Sequence, residues 1–303
     1  MSRILVTGAS GFVGRALVTA LSGWGYDVRA AVRRRPQPPF ADGLEVVTHP
    51  DLAISFDWSP LLADVEAVVH LAGIAHTAGI PEADYERINH HATAALAAAA
   101  ARTDVKRFVF VSSIRAQSGP TAQTTLTEDD DPRPTDAYGH SKLAAETIIK
   151  SAGVPFTILR PVLVYGAGVK GNLAALMRFA DLPCPLPFGA LRNPRSLVAR
   201  DDLISAIRFA LESPATIGET FIVAHPRPSS PAEMIAGLRA ARGRKPWLIP
   251  VPPVALAAAL ALVRRRDLWD RLAGRLVASP DKLMKAGWRP QIDTVTGLAQ
   301  ITG

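Results

Sequence analysis

Residues 3–14 read RILVTGASGFVG: an unbroken apolar run, then glycines at 8, 11 and 14, then an apolar helical pattern from Phe12 to Leu21. No other stretch restricts the fold so tightly. A run that is apolar at every position has no wet face, which predicts a strand in a sheet covered on both sides. Glycines spaced G-x-x-G-x-x-G allow a sharp turn and let the backbone approach a pyrophosphate. The helix that follows offers free amide donors and a partial positive charge at its start. A triplet placed after a strand and at the opening of a helix has the context a dinucleotide loop requires. A plain strand–helix turn can use the same glycines, so the remaining chain must decide.

The alternation continues. Residues 26–32 (YDVRAAV), 67–73 (AVVHLAG), 105–113 (VKRFVFVSS), 155–166 (PFTILRPVLVYG) and 219–225 (ETFIVAH) read as strands, and residues 83–102 and 137–152 as helices. Strands alternating with helices imply crossover units and a parallel sheet. The expected fold is therefore α/β, a Rossmann-type doubly wound parallel sheet with a smaller, mostly helical C-terminal lobe. After Gly166 the chain is richer in glycine, proline and arginine, and helical patterns dominate from 231 onward. We divide it into 1–165, the dinucleotide-binding domain, and 166–303, the substrate-binding lobe, with part of 196–225 returning to the sheet.

Composition narrows the class. With 48% hydrophobic and 20% charged residues, the chain matches a soluble globular protein. Its one cysteine, Cys184, precludes an intrachain disulfide. No signal-peptide pattern precedes the first strand, and a cytoplasmic location is expected. The net charge of +7 comes without a basic stripe interleaved with aromatics, which argues against nucleic acid and suits phosphorylated ligands. The apolar run 251–263 is shorter than the roughly 20 residues a spanning helix needs, so no stable membrane insertion is expected. It reads as a core helix with a solvated end, or, less simply, as a helix resting on a membrane surface. The histidines are scattered, with no metal-ligand spacing, so no metal is expected.

The second strand ends at Val32 and is followed by Arg33, Arg34 and Arg35. An NAD site usually places an acidic residue there, for the ribose hydroxyls. A guanidinium in that place suits a 2′-phosphate. This predicts NADP(H), held by Arg33 and then Arg34, with NAD as the alternative.

TGASGFVG, HLAG (70–73), VSS (111–113) and YGHSK (138–142), in this order, resemble an extended short-chain dehydrogenase/reductase of the NAD-dependent epimerase/dehydratase family. SSIRAQSG, RPVLVYGAGVKGNL, PLPFG, NPRSLV and KAGWRP are similar to bacterial nucleotide-sugar 4-ketoreductases and 4-epimerases of surface polysaccharide synthesis. The resemblance implies Ser113, Tyr138 and Lys142 as catalytic residues. It implies cofactor contacts at Gly8, Ser10, Gly11, Phe12, Val13, Gly14, Arg33, Arg34, Asp51, Leu52, Leu71, Ala72, Gly73, Asn89, Val111, Tyr138, Lys142, Pro161 and Val164. Substrate contacts are implied at Ser113, Asn172, Leu173, Phe188, Arg195 and Arg271: Asn172 and Arg195 on the diphosphate, Phe188 by the uracil, Arg271 as a further diphosphate candidate. Core packing is the competing reading of Phe188. A homodimer is also implied.

Tyr138 and Lys142, four apart, share a helix face. A phenol of pKa ~10 is a poor acid or base at neutral pH, and an adjacent ammonium favours the phenolate. Lys142 is therefore expected to tune Tyr138, and the resemblance implies that it also holds the nicotinamide ribose. Ser113 lies 138 − 113 = 25 residues upstream, at a strand end. Dehydratases of this group place an Asp-Glu pair after the catalytic hydroxyl; Ile114 and Arg115 stand there here, so dehydration is rejected. The leading expectation is NADPH-dependent reduction of the 4-keto group of a UDP-linked deoxy or N-acetyl sugar. The alternatives are a UDP- or lipid-linked N-acetylhexosamine 4-epimerase with tightly bound NAD, a non-catalytic cofactor-sensing protein, and a reductase of non-sugar ketones.

Overall fold

The computed structural model describes residues 3–75, 79–169, 172–262, 269 and 273–301, except for the side chains of 172–175. Its strands are β1 (Arg3–Thr7), β2 (Asp27–Val32), β3 (Glu45–Thr48), β4 (Ala67–His70), β5 (Arg107–Val111), β6 (Thr125–Leu126), β7 (Phe156–Pro161), β8 (Leu163–Tyr165), β9 (Leu197–Ala199), β10 (Glu219–Val223) and β11 (Val277–Ala278). Its α-helices are α1 (Phe12–Gly23), α2 (Ser59–Leu62), α3 (Glu82–Tyr85), α4 (Ala92–Ala100), α5 (Ala137–Ser151), α6 (Asn172–Asp181), α7 (Arg200–Glu212), α8 (Pro231–Ala241), α9 (Pro253–Leu262), α10 (Asp281–Lys285) and α11 (Thr294–Gln300).

Seven strands form one sheet in the order β10-β7-β5-β4-β1-β2-β3. Every pairing in it is parallel. Strand β1 lies between β2 and β4, so the strand order reverses there. In such sheets ligands bind in the crevice beyond the carboxyl ends at that reversal.

The sheet is covered on both faces, as its largely apolar strands require. Along β5, Phe108 and Phe110 pack with Leu96 of α4 and Ile149 of α5. Val109 and Val111 point the other way, into a cluster with Leu17 and Leu21 of α1 and Ile207 of α7. Each such aliphatic side chain stabilises the fold by about 1.5–3 kcal/mol when fully buried. A third cluster, holding Tyr165, Leu176, Met234, Leu238 and Leu298, joins β8 to α6, α8 and α11.

Several elements differ from expectation. The run 155–166 is two strands: β7 ends at Pro161, and β8 leaves the main sheet and pairs with β9. Strand β3 is an addition, a four-residue edge strand with no buried position. The helix over 83–102 contains a π-helical turn, Glu86–His91, between α3 and α4. Helix α9 is not a core helix, since Leu256 is its one buried residue.

Candidate active site

The glycine loop joins β1 to α1. Gly8 has φ of +68°, and a Cβ there would come within 2.7 Å of the Ala72 amide nitrogen. Gly14 lies in the first turn of α1, where a Cβ would lie 2.2 Å from the Gly8 carbonyl oxygen. Larger residues would force the helix off the loop. Gly11 caps α1 without a side-chain hydrogen bond, and no acidic residue stands in the first turn. The amides of Phe12, Val13 and Gly14 thus meet no capping side chain, and Ser10 and Gly11 are exposed. These residues fit a dinucleotide pyrophosphate. A cavity of about 800 Å³ opens beside the loop, lined by Ser10, Phe12, Arg15, Trp24 and Arg200 among others. Ser113, Tyr138 and Lys142 do not line it.

Beyond β2, Arg33 and Arg34 are exposed. Arg33 pairs with Asp51, which follows β3, at 3.3 Å. The Ala53 amide, and then Arg33, hold the Asp51 carboxyl below its usual range against some desolvation. Leu52 packs partly against the sheet core. Leu71 donates its amide to the Thr7 carbonyl at 3.3 Å, and the Ala72 amide donates to the Thr7 hydroxyl. Gly73 follows directly.

The catalytic candidates meet at the carboxyl edge of β5. Asp136 caps α5, its Oδ1 accepting from the Gly139 amide at 2.8 Å, which starts the helix so that Tyr138 faces Ser113. Tyr138 shares a hydrogen bond with Ser113. Ser113, just past β5, accepts the Arg115 amide at 3.1 Å. The Tyr85 ring packs edge-to-face on Tyr138 at 6.0 Å. Lys142 is buried, donating to the Val111 carbonyl at 3.1 Å, with its ammonium 4.7 Å from the Phe110 ring centroid.

The electrostatics add a further charged group to the Tyr–Lys pair. Burial raises the Tyr138 phenol above its ordinary value; the Ser113 hydrogen bond and the positive charge of Arg115 oppose this, while Asp136 adds to it. Among the perturbing groups is a cation that lies outside the Tyr–Lys pair, Arg115. Burial lowers the Lys142 ammonium to about 8, against the pull of Glu146. Arg115 also pairs with Asp136, and its Nε is buried without a hydrogen-bond partner among the described residues. Read from sequence, Arg115 marks only the missing acidic pair; its place near Tyr138 depends on the 3₁₀ turn Ile114–Ala116.

Below this edge lies a buried ion pair. Arg160 of β7 donates to Glu146 of α5, from Nη2 at 2.5 Å and from Nε at 3.0 Å. Ser112 donates to the same carboxylate at 2.5 Å, and Arg160 also reaches Gln117. This pair ties α5 to β7 one turn past Lys142.

A second buried chain runs through His70. Thr93 Oγ1 donates to the Asn89 carbonyl at 2.7 Å, so it must accept from His70 Nε2–H at 2.8 Å. His70 Nδ1 then accepts from the Thr7 hydroxyl at 2.6 Å, and that hydroxyl accepts the Ala72 amide. Burial, with the Lys142 charge nearby, lowers His70 to about 3. Asn89, an expected cofactor contact, instead spends both amide hydrogens on the Ile74 carbonyl and Ser141, while its Oδ1 accepts the Ile74 amide. It holds the loop after β4 against α5.

The π turn also gathers Glu86, His90 and His91, whose donor atoms lie within 4.8 Å of one another. By sequence spacing alone these histidines read as scattered. In a π turn, residues i+4 and i+5 both flank residue i, which an α-helix does not allow.

The later candidates are less concentrated. Val111 and Pro161 end β5 and β7, and Val164 is half-buried on β8. Asn172 and Leu173 open α6. Phe188 is 6% exposed in the third cluster, edge-to-face with Phe179. Core packing, rather than an open aromatic contact, describes it. Arg195 Nε donates to the Gly274 carbonyl at 2.7 Å, and burial lowers the guanidinium. It braces the segment before β11 with that nitrogen, which is then lost to a diphosphate. Arg271 lies outside the described residues.

A glycine loop over a switch point, with a hydroxyl, a phenol and a buried ammonium on the same sheet edge, defines a nicotinamide-dependent enzyme class. The model of the NAD dependent epimerase/dehydratase family matches residues 4–224, and the chain belongs to that family. It is 35% identical to a UDP-glucose 4-epimerase of Vibrio cholerae, over 98% of this chain and 93% of that protein. It is 29% identical to a ceramide reductase of Caulobacter vibrioides, over 95% and 86% respectively. In fold it is similar to WbmG of Bordetella bronchiseptica, solved in complex with NAD, with a TM-score of 0.79 at 20% identity over 99% of this chain and 92% of that one.

Proposed function

We propose that this enzyme reduces the 4-keto group of a UDP-linked deoxy or N-acetyl sugar, using NADPH. The observation that carries the reading is the Ser113–Tyr138 hydrogen bond at the open edge beside the glycine loop, with Arg115 favouring the phenolate. Residues 1–165 hold the cofactor in this reading, and residues 166–303 hold the sugar nucleotide. The α1 N-terminus would hold the cofactor pyrophosphate, Arg33 and Arg34 a 2′-phosphate, and Lys142 the nicotinamide ribose. When bound, the cofactor supplies the hydride that the keto carbon accepts. Ser113 hydrogen-bonds the keto oxygen. Tyr138 gives that oxygen its proton, so the product is an alcohol. Arg115 then stabilises the phenolate left on Tyr138. No acid–base pair follows Ser113, which argues against eliminating water.

A 4-epimerase with tightly bound NAD is the second reading. Its support is the 35% identity to the Vibrio cholerae enzyme. Against it stands the absence of an acidic residue directly after β2. A panel of UDP-4-keto sugars with NADPH, followed at about 340 nm for the reduced nicotinamide, tests both. Stoichiometric loss of absorbance is the expected result. Sugar interconversion with no net cofactor change would assign the epimerase. Tight cofactor binding without turnover of any kind would overturn both in favour of a sensor.

A further inference from the structure

The chain's surplus charge and its barest apolar surface fall in one stretch of sequence. Between Glu233 and Asp267 there is no acidic residue and there are seven basic ones: Arg239, Arg242, Arg244, Lys245 and Arg264 to Arg266. The whole chain carries +7, so everything outside this stretch balances to zero. Inside the stretch, Trp247, Ile249, Val254 and Leu262 are 59%, 49%, 81% and 86% exposed.

Helix α9 reads PVALAAALAL and has no polar side chain. Leu256 faces inward, with Leu260 partly buried against the same cluster. The other side, with Val254, Ala255, Ala258, Ala259 and Leu262, is exposed. A surface helix ordinarily presents polar residues there. With 10 residues, α9 is far shorter than the roughly 20 that a crossing needs. Among the described residues no helix is long and apolar enough to cross a membrane.

The loop before α9 is held in place. The Arg239 guanidinium is buried and donates to the carbonyls of Leu182, Cys184 and Pro246. That clamp fixes the stretch on which Arg244, Lys245 and Trp247 are exposed. An indole next to cations, followed by an apolar helix face, is the composition of a segment lying in a membrane interface.

We propose that residues 244–262 form a docking surface for an anionic lipid bilayer. The outer face of α9 sits at the headgroup–acyl boundary, with Arg244 and Lys245 against lipid phosphates. Charge decides the occupant: the exposed Arg244 and Lys245 of two copies would repel across a two-fold axis, whereas an anionic leaflet attracts them.

The test is co-sedimentation with vesicles of phosphatidylcholine alone and with about 30% phosphatidylglycerol. We expect binding to the anionic vesicles, weakened by salt. Lys245→Gln should weaken it about fivefold. Val254→Glu and Leu262→Glu should each weaken it by more than about tenfold. Unchanged melting temperature and cofactor binding in each variant show that the fold is intact. Wild-type protein left in the supernatant overturns the proposal, as does binding insensitive to both glutamates. A solution dimer that Val254→Glu dissociates, with no vesicle binding, would assign the face to a second copy and overturn it equally.

Discussion

Arg115 stands where a dehydratase of this group would carry acid, and its charge opposes the desolvation of Tyr138. Removing it raises the phenol further, because the phenolate loses a cation and Asp136 loses its partner. In ketone reduction Tyr138 must carry its proton, so the rate falls as pH rises through the phenol's pKa. Arg115→Met should therefore move the alkaline limb of kcat/KM to higher pH, while Arg115→Lys should hold it near its original place. A limb that stays put in the methionine variant would remove Arg115 from the chemistry. Tyr138, Lys142 and Ser113 are legible in the sequence, because helix spacing and a strand end locate them. Arg115 is not, since its role depends on a short 3₁₀ turn and on how α5 docks. Asn89 is legible in the sequence only as a candidate, and its engagement by Ile74 and Ser141 is not legible.

Helix α5 carries the phenol, the ammonium and, one turn later, Glu146 with its partner Arg160 on β7. Both partners of this pair are almost fully buried, so breaking it leaves one charge without compensation. Glu146→Gln and Arg160→Met should each cost about 3–5 kcal/mol in urea unfolding. The double variant Glu146→Leu with Arg160→Met should recover much of that, because no buried charge remains. Strictly additive losses would mean the pair is not the unit described. The elements themselves are readable where the apolar pattern is unbroken, as in β1, β2, β4, β5 and α5. Strand β3 escapes because it sits half-exposed at the sheet edge. The break after Pro161 escapes because RPVLVYG stays apolar while the backbone changes sheets. The π turn escapes because nothing in ERINHH distinguishes it from an α-turn. The bareness of α9 escapes because an all-apolar helix is ordinarily buried.

For the protein as one cooperative unit, His70 sets an acid limit. Its folded pKa of about 3 lies well below its ordinary 6.5, so the unfolded chain takes the proton first. This contribution is complete above pH ~6.5 and is lost as pH falls towards ~3, at about 1.4 kcal/mol per unit. His70→Gln should flatten the fall of unfolding free energy across that window, measured by urea titration at successive pH values. A slope equal to the wild type's would show that other groups govern the acid transition. The placement of β10 carries a consequence for synthesis. A ribosome delivers β7 well before Glu219–Val223, so the outer rim of the nascent sheet stays unzipped while β8, β9 and α7 are still being made. Until residue 223 has cleared the exit tunnel, the open backbone groups of β7 are a place where another chain could join. Any pause in translation between the two strands is a hazard that the finished molecule no longer displays.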